Sequence, residues 1–129
     1  MNVPRDLRYT KTHEWVRFAN GIATIGITDF AQQQLSDLTY VELPDVDDKV
    51  GAVQEVAVVE SVKAASDVYS PIAGFIVEVN ESLNDHMDLI NTDPYGKGWM
   101  FKIKPNNPAD INKLLDADQY EELLPDSDE

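Results

Sequence analysis

Cysteine is absent from this 129-residue chain. That one absence excludes disulfides, thiolate metal sites, iron–sulfur ligation and a cysteine nucleophile. Histidine is nearly absent: His13 and His86 are far apart and in no metal-ligand spacing. His13 reads as a packed or hydrogen-bonding strand residue and His86 as a solvent-exposed loop residue. Positive charge is scarce, with 10 Lys and Arg against 24 Asp and Glu, a formal net charge of −14. Such a balance repels phosphate backbones and anionic lipid, so neither nucleic acid nor a membrane is expected as a partner. It suits steering towards basic surfaces. The last 21 residues carry eight acids against Lys113 alone, which reads as a solvated helix face rather than a dedicated docking tail.

Long apolar runs are missing too. Nothing approaches a membrane span, and MNVPRDLRYTK lacks the apolar core of a secretory signal. The expected location is the cytoplasm, or the mitochondrial matrix if a transit peptide was removed. There is no nucleophile elbow and no phosphate loop; Gly96 and Gly98 in PYGKGW lack the strand-to-helix setting and a following Lys-Ser/Thr. No pair of acids is marked out for acid–base work. As a free-standing enzyme the chain is poorly equipped, and the expectation is that it is not one.

What is present is a series of short strand patterns. HEWVRF (13–18) and IATIGI (22–27) flank Asn20-Gly21, a hairpin signal, and Ala23, Ile25 and Ile27 alternate as one buried face should. Thr28 is placed to cap a short helix through FAQQQL. LTYVELP (38–44), QEVAVVESV (54–62), YSPIAGFIVEVN (69–80) and WMFKIKP (99–105) read as further strands. Pro71 and Gly74 require an edge, a bend or a division within the third of these. Between 44 and 51 the chain reads as polar loop, and a short helix is expected near 86–91. Beyond Pro108, Ile111, Leu114, Leu115, Tyr120, Leu123 and Leu124 recur at helical spacing, with Asp116 and Gln119 as a cap pair. Many short strands indicate a compact β sandwich or barrel. We expect a single domain over 1–129, with a β core of about 9–105 and a packed helical segment of about 108–124. GIATIGI (21–27) and GFIVEVN (74–80) hint at a repeat, though their apolar positions agree only in part.

One lysine stands out. In VVESVKAASDVYSP (58–71), Lys63 sits among Ser, Val and Ala between two apolar runs. A turn lysine is ordinarily a solubilising residue. Here Ser61, Ala64, Ala65 and Ser66 leave open space around it, and the flanking strands should hold the turn rigid. A lysine displayed so can be acylated by another enzyme and become the base of a swinging arm.

The segment ESVKAASDVYSPIAG (60–74) resembles the lipoyl-attachment region of the H-protein family of the glycine cleavage system. YTKTHEWVR, GIATIGITDFAQ, LTYVELPDVDDKV, VNESLN, LINTDPYGKGWMFKIKP and LLDADQYEELL resemble other segments of that family in their usual order, covering nearly the whole chain from Tyr9 to Leu124. One departure is His86-Met87, where family members often carry Ser-Pro.

The resemblance implies a mainly β, lipoyl-like barrel-sandwich hybrid of two small antiparallel sheets with short helices, including a C-terminal helical appendage. It implies lipoate in amide linkage on Lys63, which would place the redox sulfurs in the cofactor. It further implies that the protein is a shuttling substrate. It would take an aminomethyl group from a PLP-dependent glycine decarboxylase (P protein) to an aminomethyltransferase (T protein), and pass electrons to a dihydrolipoamide dehydrogenase (L protein). A lipoate ligase or lipoyl/octanoyl transferase would load it.

A loaded arm ends in an amine that is cationic near neutral pH, and carboxylates suit such a group. Glu14 and Asp67 are the candidates for lining its resting site. Glu60, three residues before Lys63, is read as part of what the lipoylating enzyme recognises. A biotin carrier usually places its lysine between methionines, and lipoyl domains of 2-oxo acid dehydrogenases typically have Asp before it. Val62 and Ala64 fit neither. The alternative left open is an H-like protein that relays lipoyl or octanoyl groups to other lipoate-dependent enzymes.

Overall fold

The computed structural model describes residues 2–125. Its nine strands and three α-helices are β1 (Arg8–Tyr9), β2 (Glu14–Ala19), β3 (Ile22–Ile27), α1 (Asp29–Leu35), β4 (Leu38–Glu42), β5 (Lys49–Val50), β6 (Glu55–Ser61), β7 (Ala65–Tyr69), β8 (Gly74–Val79), α2 (Asp88–Thr92), β9 (Phe101–Pro105) and α3 (Ala117–Leu123). Two 3₁₀ turns, Glu81–Asn84 and Pro108–Lys113, complete the set. The strands form a six-stranded sheet in the order β1-β2-β3-β9-β8-β5 and a three-stranded sheet β4-β6-β7, with every named pairing antiparallel. The two sheets do not join into a closed barrel, so the expected barrel-sandwich hybrid is found.

The hairpin at Asn20-Gly21 is present, with φ of 55° and 80° at its two central residues, the left-handed pair that a tight hairpin turn requires. It sets the register in which Val16 faces Ile25 and Phe18 faces Ala23. β3 and β8, which the two glycine-led segments form, lie on either side of β9: Ala23 and Ile76 both pair with Ile103. Gly74 opens β8 because a Cβ there would collide with the Lys104 carbonyl oxygen.

Apolar side chains from both sheets meet in one core. Val16, Ile25, Ile76, Phe101 and Ile103 come from the larger sheet and Val41, Ala57, Val59 and Val68 from the smaller. A second cluster, Leu7, Tyr9, Trp15, Ala117 and Tyr120, seats α3 against β1 and β2. α3 starts with the expected capping box, Asp116 accepting from the Gln119 N–H and Gln119 returning the bond. Thr28 caps α1 through the Ala31 N–H.

Several elements differ from the sequence pattern. β1 is a two-residue strand in a stretch to which the sequence assigns no element, and β5 one within the stretch read as polar loop; both are too short to show a period. The segment 69–80 is divided, one of the outcomes that Pro71 and Gly74 require: Ser70–Ala73 bends and β8 begins at Gly74, while Tyr69, before the break, ends the strand Ala65–Tyr69. His13 stands just outside its strand with φ of 74°. Leu114 and Leu115 leave the helical pattern because β1 captures their backbone, Tyr9 and Leu115 exchanging bonds of 2.8 and 2.9 Å.

Candidate functional site: the Lys63 hairpin and the cleft beside it

β6 and β7 form a hairpin whose tip is Val62-Lys63. Neither tip residue has positive φ, so the turn accepts a β-branched valine and a long lysine without glycine. Ser61 locks it. Its N–H donates to the Ala64 carbonyl at 2.8 Å, and its hydroxyl oxygen accepts from the N–H groups of Lys63 and Ala64 at 3.3 and 3.2 Å. The Lys63 side chain is exposed and forms no ion pair among the described residues. Val62 is 93% exposed, an apolar group held in solvent beside the amine.

Below the tip, the register pairs Glu60 with Ala65 and with Tyr40, and pairs Val58 with Asp67 and with Glu42. Val59, Ala57 and Val68 point into the core, so Glu60 and Asp67 occupy the outward rows. There Asp67 meets Glu55. Their shared hydrogen bond and like charge raise the Glu55 carboxyl above its ordinary value.

Glu14 is placed differently. Only 1% of it is exposed. One carboxylate oxygen accepts from the hydroxyls of Thr10 and Thr12, and the other from the Tyr69 N–H at 3.1 Å. It therefore ties β2 to the free edge of β7. Burial raises the carboxyl above its ordinary value, and the bonds from Thr10, Thr12 and Tyr69 pull the other way.

Two clefts share Glu14 and Thr12 in their walls. The larger, about 420 Å³, opens towards Leu114, Leu115 and Pro71, away from the hairpin tip. The smaller, about 280 Å³, runs along β7 from Ala64 to Asp67 and is closed by His13, Phe30 and Leu35. Size favours the first, but the second begins at the residue after Lys63, and chemistry on that lysine would use it. Glu14 thus lines the cleft beside Lys63, and Asp67 stands at its rim with its side chain on the outward face that also holds Glu60.

Sequence reasoning alone misses Thr10, Thr12 and Tyr69. A usable signal exists for two of them: in TKTHE, Thr10, Thr12 and Glu14 are two apart, the spacing that puts side chains of extended chain on one side. The described residues contain no group of three or more His, Asp or Glu placed to hold a metal ion. None of their helices is long and apolar enough to cross a membrane.

A family model described as Glycine cleavage H-protein matches residues 7–127. The chain belongs to that family. It is 57% identical over 124 residues to the glycine cleavage system H protein of Psychrobacter sp. strain PRwf-1, covering 95% of this chain and 98% of the relative. It is 51% identical over 128 residues to that of Methylacidiphilum infernorum, covering 99% and 100%. The crystal structure of a glycine cleavage system H protein from Mycobacterium marinum superposes with a TM-score of 0.86 at 39% identity, covering 93% of this chain and 97% of the other.

Proposed function

We propose that this family member is the lipoyl-bearing carrier of the glycine cleavage system, with lipoate joined through an amide to the Lys63 Nζ. In that role it is a shuttling substrate, not a catalyst. It takes an aminomethyl group from glycine decarboxylase to aminomethyltransferase and electrons to dihydrolipoamide dehydrogenase, after loading by a lipoate ligase or a lipoyl/octanoyl transferase. The bacterial relatives support a cytoplasmic site of action. The family match favours this role over a relay of lipoyl or octanoyl groups.

The observation that carries the reading is Lys63 itself: an exposed amine, without an ion pair among the described residues, at a rigid two-residue tip that opens directly onto a cleft. Bound there, the lipoyl group supplies a reactive disulfide that is reduced and reoxidised as cargo is taken up and passed on. The chain's own residues do the rest. Ser61 fixes the direction in which the lysine leaves the hairpin. Ala64 and Ala65 keep the cleft mouth free of bulk. Glu14 offers a buried carboxylate to the cationic end of the cargo, where water is thin and the attraction is least screened. Asp67 adds a second acid at the rim, and Glu60, on the same outward face, is offered to the loading enzyme.

The deciding experiment is the intact mass of the protein after incubation with a lipoate ligase, lipoate and ATP. A single lipoyl increment on wild type, absent from Lys63→Arg, is expected. No increment on wild type would remove the carrier reading.

A further inference from the structure

His13 borders the same cleft and has no part in the reading above. We infer that Tyr120 and Thr28 hold His13 as its neutral Nε2–H tautomer, and that this N–H is a donor to an acceptor on the Lys63 arm when the arm lies in the cleft. The contact with the arm rests on the proposed function; the tautomer does not.

The tautomer follows from counting protons. Thr28 is fully buried. Its hydroxyl oxygen accepts from the Ala31 N–H at 3.3 Å and lies 2.7 Å from the Tyr120 hydroxyl. A buried hydroxyl proton needs an acceptor, and Tyr120 is the one within reach. Tyr120 is also fully buried, and its own proton then goes to the remaining neighbour, the His13 Nδ1 at 2.8 Å. Nδ1 is thereby an acceptor, and a neutral imidazole that accepts at Nδ1 carries its proton on Nε2. A charged ring would donate from Nδ1, reverse the chain and strand the Thr28 proton. Burial likewise lowers the proton affinity of His13.

The Nε2–H has no acceptor among the described residues. The backbone holds the ring in place despite a left-handed φ of 74°: His13 donates to the Thr10 carbonyl at 3.2 Å and accepts from the Thr28 N–H at 3.0 Å. Such a conformation is sustained by its surroundings. The other donors bordering the cleft are committed or peripheral. Thr12 donates to Glu14, Ser66 to the Asp67 carbonyl, and Gln34 is exposed at the rim. The cleft thus pairs a carboxylate acceptor, Glu14, with a neutral N–H donor, His13. An arm with a cationic end and a carbonyl or sulfur behind it needs that combination. Since the donor is set by Tyr120, α3 becomes part of the arm's receptor.

The test is nitrogen NMR of ¹⁵N-imidazole-labelled protein, with exposed His86 as the internal reference. In unmodified wild type, His13 should show the Nε2–H pattern and titrate below the ordinary imidazole value of 6.5; the titratable groups around it are Glu14, Asp67 and Tyr120. Tyr120→Phe should relax His13 towards a tautomer mixture. A mixture or an Nδ1–H form in wild type overturns the assignment. The Nε2–H resonance is then followed in octanoylated, lipoylated and aminomethyl-loaded protein, each confirmed by mass. A shift in all three makes the linkage carbonyl the acceptor, and a shift only in the sulfur-bearing forms makes it sulfur. No shift in fully loaded protein overturns the contact. Loss of cargo to hydrolysis should quicken roughly fivefold in His13→Phe, the value of one hydrogen bond. His13→Gln, which keeps an N–H near the Nε2 position, should restore it; equal rates in the two variants overturn the contact. A wild type that takes no lipoyl group overturns the carrier reading and the arm contact together, leaving the tautomer standing on the unmodified protein.

Discussion

A buried carboxylate in a cleft wall makes stability depend on pH in a direction opposite to most acids. Glu14 is held above its ordinary value of 4.5 by burial, against the pull of its three donors. The folded chain therefore binds that proton more tightly than the unfolded chain. The contribution is complete below the ordinary value and is lost as pH rises through the raised one. Unfolding by urea between pH 4 and pH 7 should show wild type losing ground against Glu14→Gln as pH rises. An unchanging difference would mean that the carboxyl is not perturbed. In the Glu14→Gln variant the new side-chain carbonyl can take the Tyr69 N–H while the amide nitrogen meets the hydroxyls of Thr10 and Thr12, so the fold has no need to rearrange. If Glu14 receives the cationic cargo, the same variant loses the charge but not the shape. Hydrolysis of loaded protein should then accelerate about tenfold, close to the lower end of the roughly 1.5–3 kcal/mol of a charge-assisted bond.

Among the elements, the legible ones had a signal of their own. The β2–β3 hairpin was written in Asn20-Gly21 and the alternation of Ala23, Ile25 and Ile27, and α3 in Asp116 and Gln119. β1 and β5 were not, because their reasons lie in partners far along the chain, whereas the break at Ser70–Ala73 was signalled locally by Pro71 and Gly74. Two residues of β1 exist because β2 and Leu115 pair with them. Lys63 was legible as chemistry from its bare surroundings. The receptor beside it was legible only in part: Glu14 and Asp67 were candidates and Thr10 shares the spacing of Glu14, but Tyr69 and Tyr120 meet Glu14 and His13 only after folding. Two substitutions separate these causes. Asp116→Ala removes a local cap and should cost about 1 kcal/mol, read as a lower denaturant midpoint, with lipoylation of Lys63 unchanged. Gly74→Ala sets a methyl against the backbone of β9. It should cost at least the upper end of the roughly 1–3 kcal/mol of overpacking, because neither strand can move without opening the sheet. A smaller loss than that of Asp116→Ala would show that β8 and β9 yield more easily than their register suggests.

For the whole molecule, the distribution of the −14 charge matters more than its size. β4, β6 and β7 together contain Glu42, Glu55, Glu60 and Asp67 and not one Lys or Arg. All four acids lie on or beside the outward rows, around exposed Tyr40, and the hairpin above them carries Lys63. At the C-terminal end the acids are partly spent, Asp118 and Glu121 pairing with Arg5 at 2.7 and 2.8 Å. On the three-stranded sheet they are not. Glu55 and Asp67 crowd each other, an arrangement that a cation arriving from outside would relieve. An enzyme that must reach the Lys63 amine would gain orientation as well as speed from a basic surface facing this sheet. The rate constant kcat/KM for lipoylation by a ligase should therefore fall as salt is raised from low ionic strength, by roughly tenfold over the range in which the Debye length shrinks from about 30 to 10 Å. Glu42→Lys combined with Glu55→Lys should lower the low-salt rate to nearly the high-salt one and flatten the dependence, with kcat unaltered at saturation. Reversing Asp118 and Glu121, which lie far from the hairpin in the chain and against Arg5, should leave the salt slope almost as steep as in wild type. Equal flattening by the two pairs would make net charge, and not this face, the source of steering.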